Sequence, residues 1–371
     1  MKKCNSVVIK FLFILNIFAV FFLIASDIAA YINPGKVWSF AFFGLAYPFI
    51  LFINLFFILL WLLLWNKFIF LSLFTILLGW NNLQTICPFP SFENKSVTKD
   101  QLTLVSYNVD LFWGVQRSDI VPEIHSSITQ FLASKKADII CLQEFYAVSS
   151  DFQKTLKTYA ESIGFKHFFF HNYREFRNKQ KIDALITFSK YPIINNGILK
   201  YPEKGLYAIY TDVIINQDTV RIYNLHLESI RFGNDDYSFY SKLTDQMDEN
   251  TPIKEGTKKM LWKLRRAFIM RAEEVESLKS HLSACPYPIL VAGDFNDTPS
   301  SYTYHQLTKD LKDAYRSTGA ESYGSTYAGL FPAFRIDYIL YSSFFKAVKY
   351  QKYRLNYSDH YPVTASFTLT P

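Results

Sequence analysis

Four short segments combine acids, amides and an imidazole in types suited to metal-assisted hydrolysis: Tyr107-Asn108-Val109-Asp110, Leu142-Gln143-Glu144, Gly293-Asp294-Phe295-Asn296 and Ser358-Asp359-His360. Asn side-chain oxygens and Asp or Glu carboxylates are hard ligands for Mg²⁺ or Mn²⁺, and a nearby His moves a proton near neutral pH. The chemistry such a set implies is hydrolysis of a phosphate ester. A phosphodiester carries negative charge that repels hydroxide, so its hydrolysis calls for a divalent cation at a non-bridging oxygen and at the departing alkoxide. The attacking water must also lose a proton, and a well-placed base contributes about 10² to 10⁴ in rate.

Each segment follows a run of strand-forming apolar residues, so strands would deliver these side chains to their ends, where α/β folds build sites. Strands are predicted over Leu102 to Val109, Asp138 to Gln143, Ala184 to Phe188, Tyr207 to Ile215, Thr219 to Leu227 and Ile289 to Ala292. Helices are predicted around Ser118 to Ser134 and Asp151 to Ile163, with a long helix before Ile289. The end alternates Tyr338 to Tyr341, Ala347 to Tyr353 and Val363 to Leu369. Interleaved helices and period-two strands predict a layered α/β domain. Arg231 to Thr257 breaks the alternation. Polar and rich in Asp and Tyr, it reads as a loop or short helix overhanging one face, whose acids would repel a long polyanion over the cleft. In the long helix Leu261, Leu264, Phe268, Arg271, Val275, Leu278 and Leu282 recur at spacings of three and four, which puts Arg271 on the apolar stripe. A guanidinium there must be paired. An ion pair beneath the sheet and a supporting role near the phosphate site both fit. Gly324-Ser325-Thr326-Tyr327 is placed to contribute to a substrate rim.

A chain of 371 residues exceeds the usual single core, and its hydrophobic fraction of 50% and 36 Phe are high for a soluble enzyme, with most of the excess in the first ninety residues. That stretch holds Lys2, Lys3, Lys10, Lys36 and Lys67, one acid, Asp27, and no Arg. The remainder carries 34 basic and 31 acidic residues, so basicity belongs largely to the N-terminal segment and does not mark a polyanion binder. Val7 to Ile32 and Val37 to Trp65 are each long enough for a bilayer span, whereas Phe68 to Trp80 is short of the roughly 20 residues required and would need Asn81 to Ile86 at the interface. Trp38, Trp61, Trp65 and Trp80 near the ends of these runs suit an aromatic belt. The first run is too long for a signal peptide and shows no small-residue cleavage site. Residues 1–87 are therefore expected to form a membrane anchor of two or three transmembrane helices, residues 88–100 a polar, Pro-containing linker, and residues 101–371 the catalytic domain. Lys2, Lys3 and Lys67 favour the cytoplasmic side. With three spans the domain would lie outside the cytoplasm, on an inner (cytoplasmic) membrane; with two it would face inward. Cys4, Cys87, Cys141 and Cys285 suggest neither pairing nor a metal site.

Seven segments in fixed order carry a family resemblance: Val105-Ser106-Tyr107-Asn108-Val109, Cys141-Leu142-Gln143-Glu144, Phe188-Ser189-Lys190-Tyr191-Pro192-Ile193, Asn224-Leu225-His226-Leu227, Gly293-Asp294-Phe295-Asn296-Asp297-Thr298-Pro299, Arg335-Ile336-Asp337-Tyr338-Ile339 and Ser358-Asp359-His360-Tyr361-Pro362-Val363. Together they resemble the endonuclease/exonuclease/phosphatase superfamily, which includes DNase I-like nucleases, apurinic endonucleases, inositol polyphosphate phosphatases and bacterial sphingomyelinases. The match runs from about Leu102 to the C-terminus and leaves out the membrane segment and Arg231 to Thr257. It implies an α/β (α+β) domain built as a four-layer α/β/β/α sandwich, with two mixed sheets face to face and a site at one rim. It further implies that Glu144 is the principal metal-binding carboxylate, with Asn108 and Asp359 close by and Asp110 at an additional acidic position. Asp294 and Asn296 would orient or deprotonate the attacking water and hold the phosphate. Asp337 would orient His360, and His226 would contact a phosphate oxygen near the leaving group. Ala184 departs from the Gly that many members carry there, a change expected to touch backbone packing more than chemistry.

The residues' own chemistry leaves the base open: His360 held by a carboxylate can take the proton, and so can Asp294. Taken singly, each residue has a plainer role. Asn108 and Asp110 could end a strand, Glu144 could be a solvated edge residue, and His226, pointing opposite to Leu225 and Leu227, could face solvent. Their joint order outweighs those readings, whereas His125, His167, His171, His281 and His305 lack such partners and are read as structural. Phe168-Phe169-Phe170 reads as core, not as a base-stacking platform. The expected function is a membrane-anchored phosphoesterase using Mg²⁺ (or Mn²⁺), with a phosphodiester substrate in nucleic acid or a lipid headgroup and the lipid bilayer as partner; no protein partner is expected. The alternative is a catalytically silent, membrane-tethered binding module of the same fold.

Overall fold

A computed structural model of the chain describes residues 6–89, 101–112, 121–148, 151–173, 181–201, 205–231, 253–319, 324–329 and 334–369. Residues 90–100 of the expected linker and 232–252 of the expected insertion lie outside them.

The apolar N-terminal runs form helices α1 (Ser6–Ala29) and α2 (Ser39–Leu63), of 24 and 25 residues. At about 1.5 Å per residue each exceeds the roughly 30 Å of a bilayer's hydrocarbon core. The third run divides into α3 (Ile69–Leu78) and α4 (Trp80–Ile86), bent by 77°. Two helices are thus long and apolar enough to cross a membrane, or three spans if the bent pair counts as one. The bend falls at Gly79, where a Cβ would collide with the Asp27 carboxylate. Phe68 stacks on Phe13, and at the other end Asn82 reaches Asp27 at 2.9 Å, so α3 and α4 return the chain to the side where α1 ends. A buried polar chain staples the three passes. Trp61 Nε1 donates to Asn16 Oδ1 (2.8 Å), Asn16 Nδ2 to Ser72 Oγ (2.7 Å) and Ser72 Oγ to Asn54 Oδ1 (2.9 Å). In an apolar surround such bonds set helix register, because the alternative leaves the polar groups unpartnered.

The remaining residues build two six-stranded sheets. The first holds β1 (Leu102–Asn108), β2 (Ile139–Val148), β3 (His167–Asn172), β4 (Lys181–Ser189), β11 (Phe345–Lys352) and β12 (Val363–Leu369), in the order β11-β12-β1-β2-β4-β3. The second holds β5 (Ile193–Tyr201), β6 (Gly205–Ile215), β7 (Asp218–His226), β8 (Ile289–Asp294), β9 (Lys312–Asp313) and β10 (Asp337–Tyr341), in the order β5-β6-β7-β8-β10-β9. Period-two burial splits each strand between two cores. Leu104, Cys141, Ile222, Ala292 and Phe367 pack between the sheets. Tyr107, Ile140 and Phe188 pack outward under α5 (Pro122–Ser134) and α6 (Phe152–Ser162). Tyr223, Val291 and Leu340 pack under α7 (Ile253–Ser283) and α8 (Tyr302–Leu307). The result is the four-layer α/β/β/α sandwich. Strands β3 and β5 and the two-residue β9 are not anticipated by the alternation of the sequence.

The N-terminal helices dock on the sandwich through specific contacts. Tyr315 and Arg335 donate to the carbonyls of Ile86 (3.1 Å) and Thr85 (3.0 Å), Arg316 donates to Gln84 Oε1 (2.6 Å), and Asn33 donates to Tyr302 Oη (3.3 Å). Phe42 of α2 meets Phe268 of α7 edge to face at 5.3 Å. Gly44 of α2 lies so close to the Ser300 carbonyl that a Cβ would sit 2.8 Å from its oxygen.

Candidate active site

Strand register gathers the chemistry-bearing residues at one rim. Parallel pairing aligns Asn108 on β1 with Gln143 on β2, and His226 on β7 with Asp294 on β8, while antiparallel pairing sets Asp337 on β10 against Asp294. The two sheets are tied together just beneath this rim. Gln143 Nε2 donates to Asn224 Oδ1 (2.7 Å), and Asn224 Nδ2 donates to the carbonyls of Leu142 (3.1 Å) and Ile186 (2.9 Å), all fully buried. Both residues fall within motifs, yet only this geometry reveals their bridging role.

Local backbone irregularities then aim the side chains. The β2–β4 register shifts between Leu142 and Phe145, and within this bulge Glu144 takes φ 52°. A bulge opposes two residues to one and re-aims a side chain. Asp110 (φ 44°) and Asn296 (φ 51°) are also left-handed. Such conformations cost of order 1–3 kcal/mol each and cluster where geometry serves function. Gly293, at φ 146°, abuts the Leu225 carbonyl so closely that any Cβ would overlap it, which explains the glycine before Asp294. Ala184 pairs with Phe145 beside the bulge and is fully buried.

Asn108 Nδ2 lies 3.2 Å from both Glu144 Oε1 and Asp294 Oδ2, bridging the sheets. Its Oδ1 accepts from the Asp110 N–H at 3.1 Å, and Ser358 Oγ, which donates to the Asn108 carbonyl (2.8 Å), also accepts from the His360 N–H (3.0 Å). Asp294 Oδ1 accepts from the Asn296 N–H (2.7 Å), and Asn296 Nδ2 is anchored on the Leu227 carbonyl (3.0 Å). His360 Nδ1 and Asp337 Oδ2 are 3.0 Å apart, with His360 Nε2 at 3.7 Å from Asp294 Oδ2 and 3.8 Å from Asp359 Oδ1. His226 is buried against Tyr173, whose hydroxyl is 2.9 Å from Nδ1, and its Nε2 faces Glu144 Oε1 at 3.4 Å and Asp294 Oδ2 at 3.8 Å. Every residue singled out from sequence is therefore at this rim. His226 is not the solvent-facing strand residue that its neighbours alone suggest.

Several positioning groups carry no motif signal of their own. Tyr173 accepts from the Glu144 N–H at 3.4 Å and holds the His226 ring. Thr326 Oγ1 accepts from the N–H groups of Ile336 and Asp337, and Tyr327 forms a bridge to His360, so the Gly324–Tyr327 segment does belong to the rim. Arg271, fully buried, pairs with Asp297 Oδ2 (3.2 Å) and donates to the Glu228 carbonyl (3.1 Å). It is an ion pair that secures the loop carrying Asn296, which joins the two roles its sequence position allowed.

Electrostatics follow from crowding. Burial, followed by the Asp359 charge, pushes Glu144 up to about 7. Against the cost of burial, Asp337 and Asp294 hold the His360 imidazole well above its ordinary range. Burial pushes His226 down, so it is neutral near pH 7. With two carboxylates before Nε2, the neutral tautomer with its proton on Nε2 fits best, and Nδ1 accepts from Tyr173. Asp337 Oδ1 and His226 Nε2 are buried and make no hydrogen bond among the described residues. The close set of carboxylates from Glu144, Asp294 and Asp359 is a group of hard oxygen donors of the kind that fits a divalent cation. Asp294, Asp337 and His360 also offer one atom each within 4.8 Å of one another. His360 Nδ1 and Asp337 Oδ2 already engage each other, however, so the hard donors on the Glu144 side suit such an ion better.

A family model described as "Endonuclease/Exonuclease/phosphatase family" matches residues 105–360, and one described as "Domain of unknown function (DUF8431)" matches residues 9–86. No curated protein matches the chain by sequence. Among solved structures, the chain is similar to an endonuclease/exonuclease/phosphatase from Beutenbergia cavernae, with 16% identity over 73% of this chain and 72% of that one and a TM-score of 0.52. It is similar to a family protein from Leptotrichia buccalis, with 12% identity over 72% and 100% of the two chains and a TM-score of 0.50. A humanized D. rerio TDP2 gives 16% identity over 72% and 99%, also with a TM-score of 0.50. These likenesses establish the fold of the sandwich.

The site generates a titration prediction. Because Asp337 raises the His360 imidazole, Asp337→Asn should move its NMR titration midpoint downward, while the wild-type midpoint lies above about 6.5. Imidazole ¹³C shifts in the full chain report both values, and an unchanged midpoint would contradict the pairing.

Proposed function

The chain belongs to the endonuclease/exonuclease/phosphatase family, and from that premise we propose that it is a divalent-metal-dependent phosphodiesterase working at a membrane surface. The observation that carries this reading is the convergence of Glu144, Asp294 and the Asp337–His360 pair at one rim, bridged by Asn108. A silent binding module would have no use for a carboxylate-oriented imidazole beside a second carboxylate.

In this proposal Glu144, Asp359 and Asp110 would hold Mg²⁺ (or Mn²⁺), and Asn108, whose Nδ2 faces Glu144 and Asp294, would position the acids and could turn its Oδ1 to the ion. When bound, the cation neutralises a non-bridging phosphate oxygen and the departing alkoxide. Asp294, fixed by the Asn296 N–H, orients the attacking water and accepts its proton. His360 keeps its own proton under the influence of Asp337 and Asp294 and stabilises charge on the phosphoryl group. The second N–H of the Asn296 amide is available to the phosphate. His226, its Nε2–H turned into the cleft, contacts an oxygen near the leaving group. In the hydrolysis a bond forms between water oxygen and phosphorus, one P–O ester bond breaks, the leaving oxygen takes a proton from solvent, and Asp294 returns the proton it accepted to solvent.

We further propose that the catalytic domain is extracytoplasmic. Lys67 lies at the turn far from the sandwich, whereas the ends of α1 and α4 contact it. An alkaline phosphatase fusion after Asn94 should then be active and one after Lys67 inactive; an inactive Asn94 fusion would overturn this sidedness.

The activity prediction is EDTA-sensitive hydrolysis by the full chain in a screen of DNA, RNA, phospholipids and inositol phosphates. His360→Ala should lower turnover by about 10² or more, the scale of a lost transition-state charge partner. Full activity in both His360→Ala and Asp294→Ala would refute the assignment.

A further inference from the structure

A cavity of about 660 Å³ runs from the catalytic acids to the membrane anchor. At one end it is lined by Glu144, Asp294 and His360; toward the other, its walls are Phe42, Ala46 and Phe49 of α2 and Met260, Leu264 and Phe268 of α7. Glu144 also borders a second cavity of about 470 Å³, lined by the polar side chains of Tyr173, Asp183, Glu228 and Arg231. The candidate phosphate position thus lies between an apolar and a polar lobe, the shape that an amphipathic phosphodiester requires. A nucleic-acid duplex, charged along its length and with its bases already stacked inside, would gain little from phenylalanines supplied by a membrane helix.

The apolar lobe is also continuous with surface suited to a bilayer. The first half of α7 exposes Leu261 (45%) and Trp262 (60%) beside Lys258, Lys259 and Arg265, and the Arg265 guanidinium sits 5.2 Å over the Trp38 ring at the start of α2. Exposed Trp and Leu among basic residues is the composition of a helix that lies in the headgroup layer. Phe49, more than half exposed, opens the lobe toward the lipid-facing side of α2.

We propose that the apolar lobe seats the hydrocarbon tail of a membrane lipid whose phosphodiester headgroup is presented to Glu144, so that the anchor supplies one wall of the substrate site. The proposal rests on the phosphodiesterase reading for its chemistry, in which water replaces one ester oxygen on phosphorus. The tail's contribution comes from apolar burial against α2 and α7.

Two measurements on the full chain in nanodiscs of dioleoylphosphatidylcholine test it. In the first, a phosphatidylcholine with a diazirine at one acyl terminus is photolysed and the labelled peptides are mapped. Insertion at Leu264 or Phe268, lost in Ala46→Trp, is expected; no insertion there, or insertion indifferent to Ala46→Trp, overturns the proposal. In the second, hydrolysis of hexadecyl 4-nitrophenyl phosphate is compared with that of its methyl counterpart in the presence of Mn²⁺. The hexadecyl-to-methyl ratio of kcat/KM should fall at least about tenfold in Ala46→Trp and in Leu264→Trp, since one methylene in an apolar pocket already commands about that factor. Comparing each variant's ratio with the wild-type ratio cancels partitioning of the long ester into the bilayer, and methyl-ester turnover reports folding of each variant. An unchanged ratio in both variants overturns the tail site. Labelling at Leu264 or Phe268 with neither ester hydrolysed supports the tail site and refutes the phosphodiesterase reading instead.

Discussion

Carboxylate crowding at the rim is the constraint from which the rest of the site follows. Glu144, Asp294, Asp337 and Asp359 all exert charge on one another or on His360. Like charges about 4 Å apart repel by roughly 4 kcal/mol at the effective dielectric of such a position. Asp294 and Asp337 are almost completely buried, so water does not relieve them. The protein answers with one amide, Asn108, between Glu144 and Asp294, and with two imidazoles. That is too little positive charge for four acids, an imbalance that the proposed divalent cation would offset. Left-handed backbone at Asp110, Glu144 and Asn296, and the glycine-only approach of Gly293 to β7, are the conformational costs of holding this arrangement.

The crowd is held in place by covalent order and register. Glu144 comes from a bulge in a strand of the first sheet, Asp294 from the end of a strand in the second, and the Gln143–Asn224 contact fixes the spacing between them. Two sheets therefore converge on a few ångströms at the rim. Arg271, buried beneath the loop after Asp294, ties that loop to α7 through Asp297 and the Glu228 carbonyl. Removing such a partner would leave a buried charge exposed to no compensation.

Much of this was legible in the sequence because the catalytic segments sit at ends of buried strands, where apolar runs give way abruptly to polar residues. Strand β3, His-Phe-Phe-Phe-His-Asn, lacks alternation because it is an edge strand with half-buried side chains on both faces, so its aromatics read as core alone. Strand β5, also at an edge, carries Asn195-Asn196-Gly197, residues that favour turns, and its pairing with β6 overrides that preference. Tyr173 was invisible because its role depends on a neighbour 53 positions away, His226. The anchor was legible as apolar runs, but not its contact with the sandwich: nothing in the spacing of Phe42, Gly44 or Arg335 announces a partner in the other half of the chain. That contact joins the N-terminal helices to the architecture that surrounds the site.

The central claim is that the Glu144 side of the rim is a divalent-cation site. Its most direct test is Mn²⁺ binding to the full chain, followed by the loss of the free-ion EPR signal. The account predicts saturable binding in the wild type and an affinity weakened about tenfold or more by Glu144→Gln, the scale seen when groups around a metal are altered. Binding of Mn²⁺ with equal affinity by wild type and Glu144→Gln would contradict it.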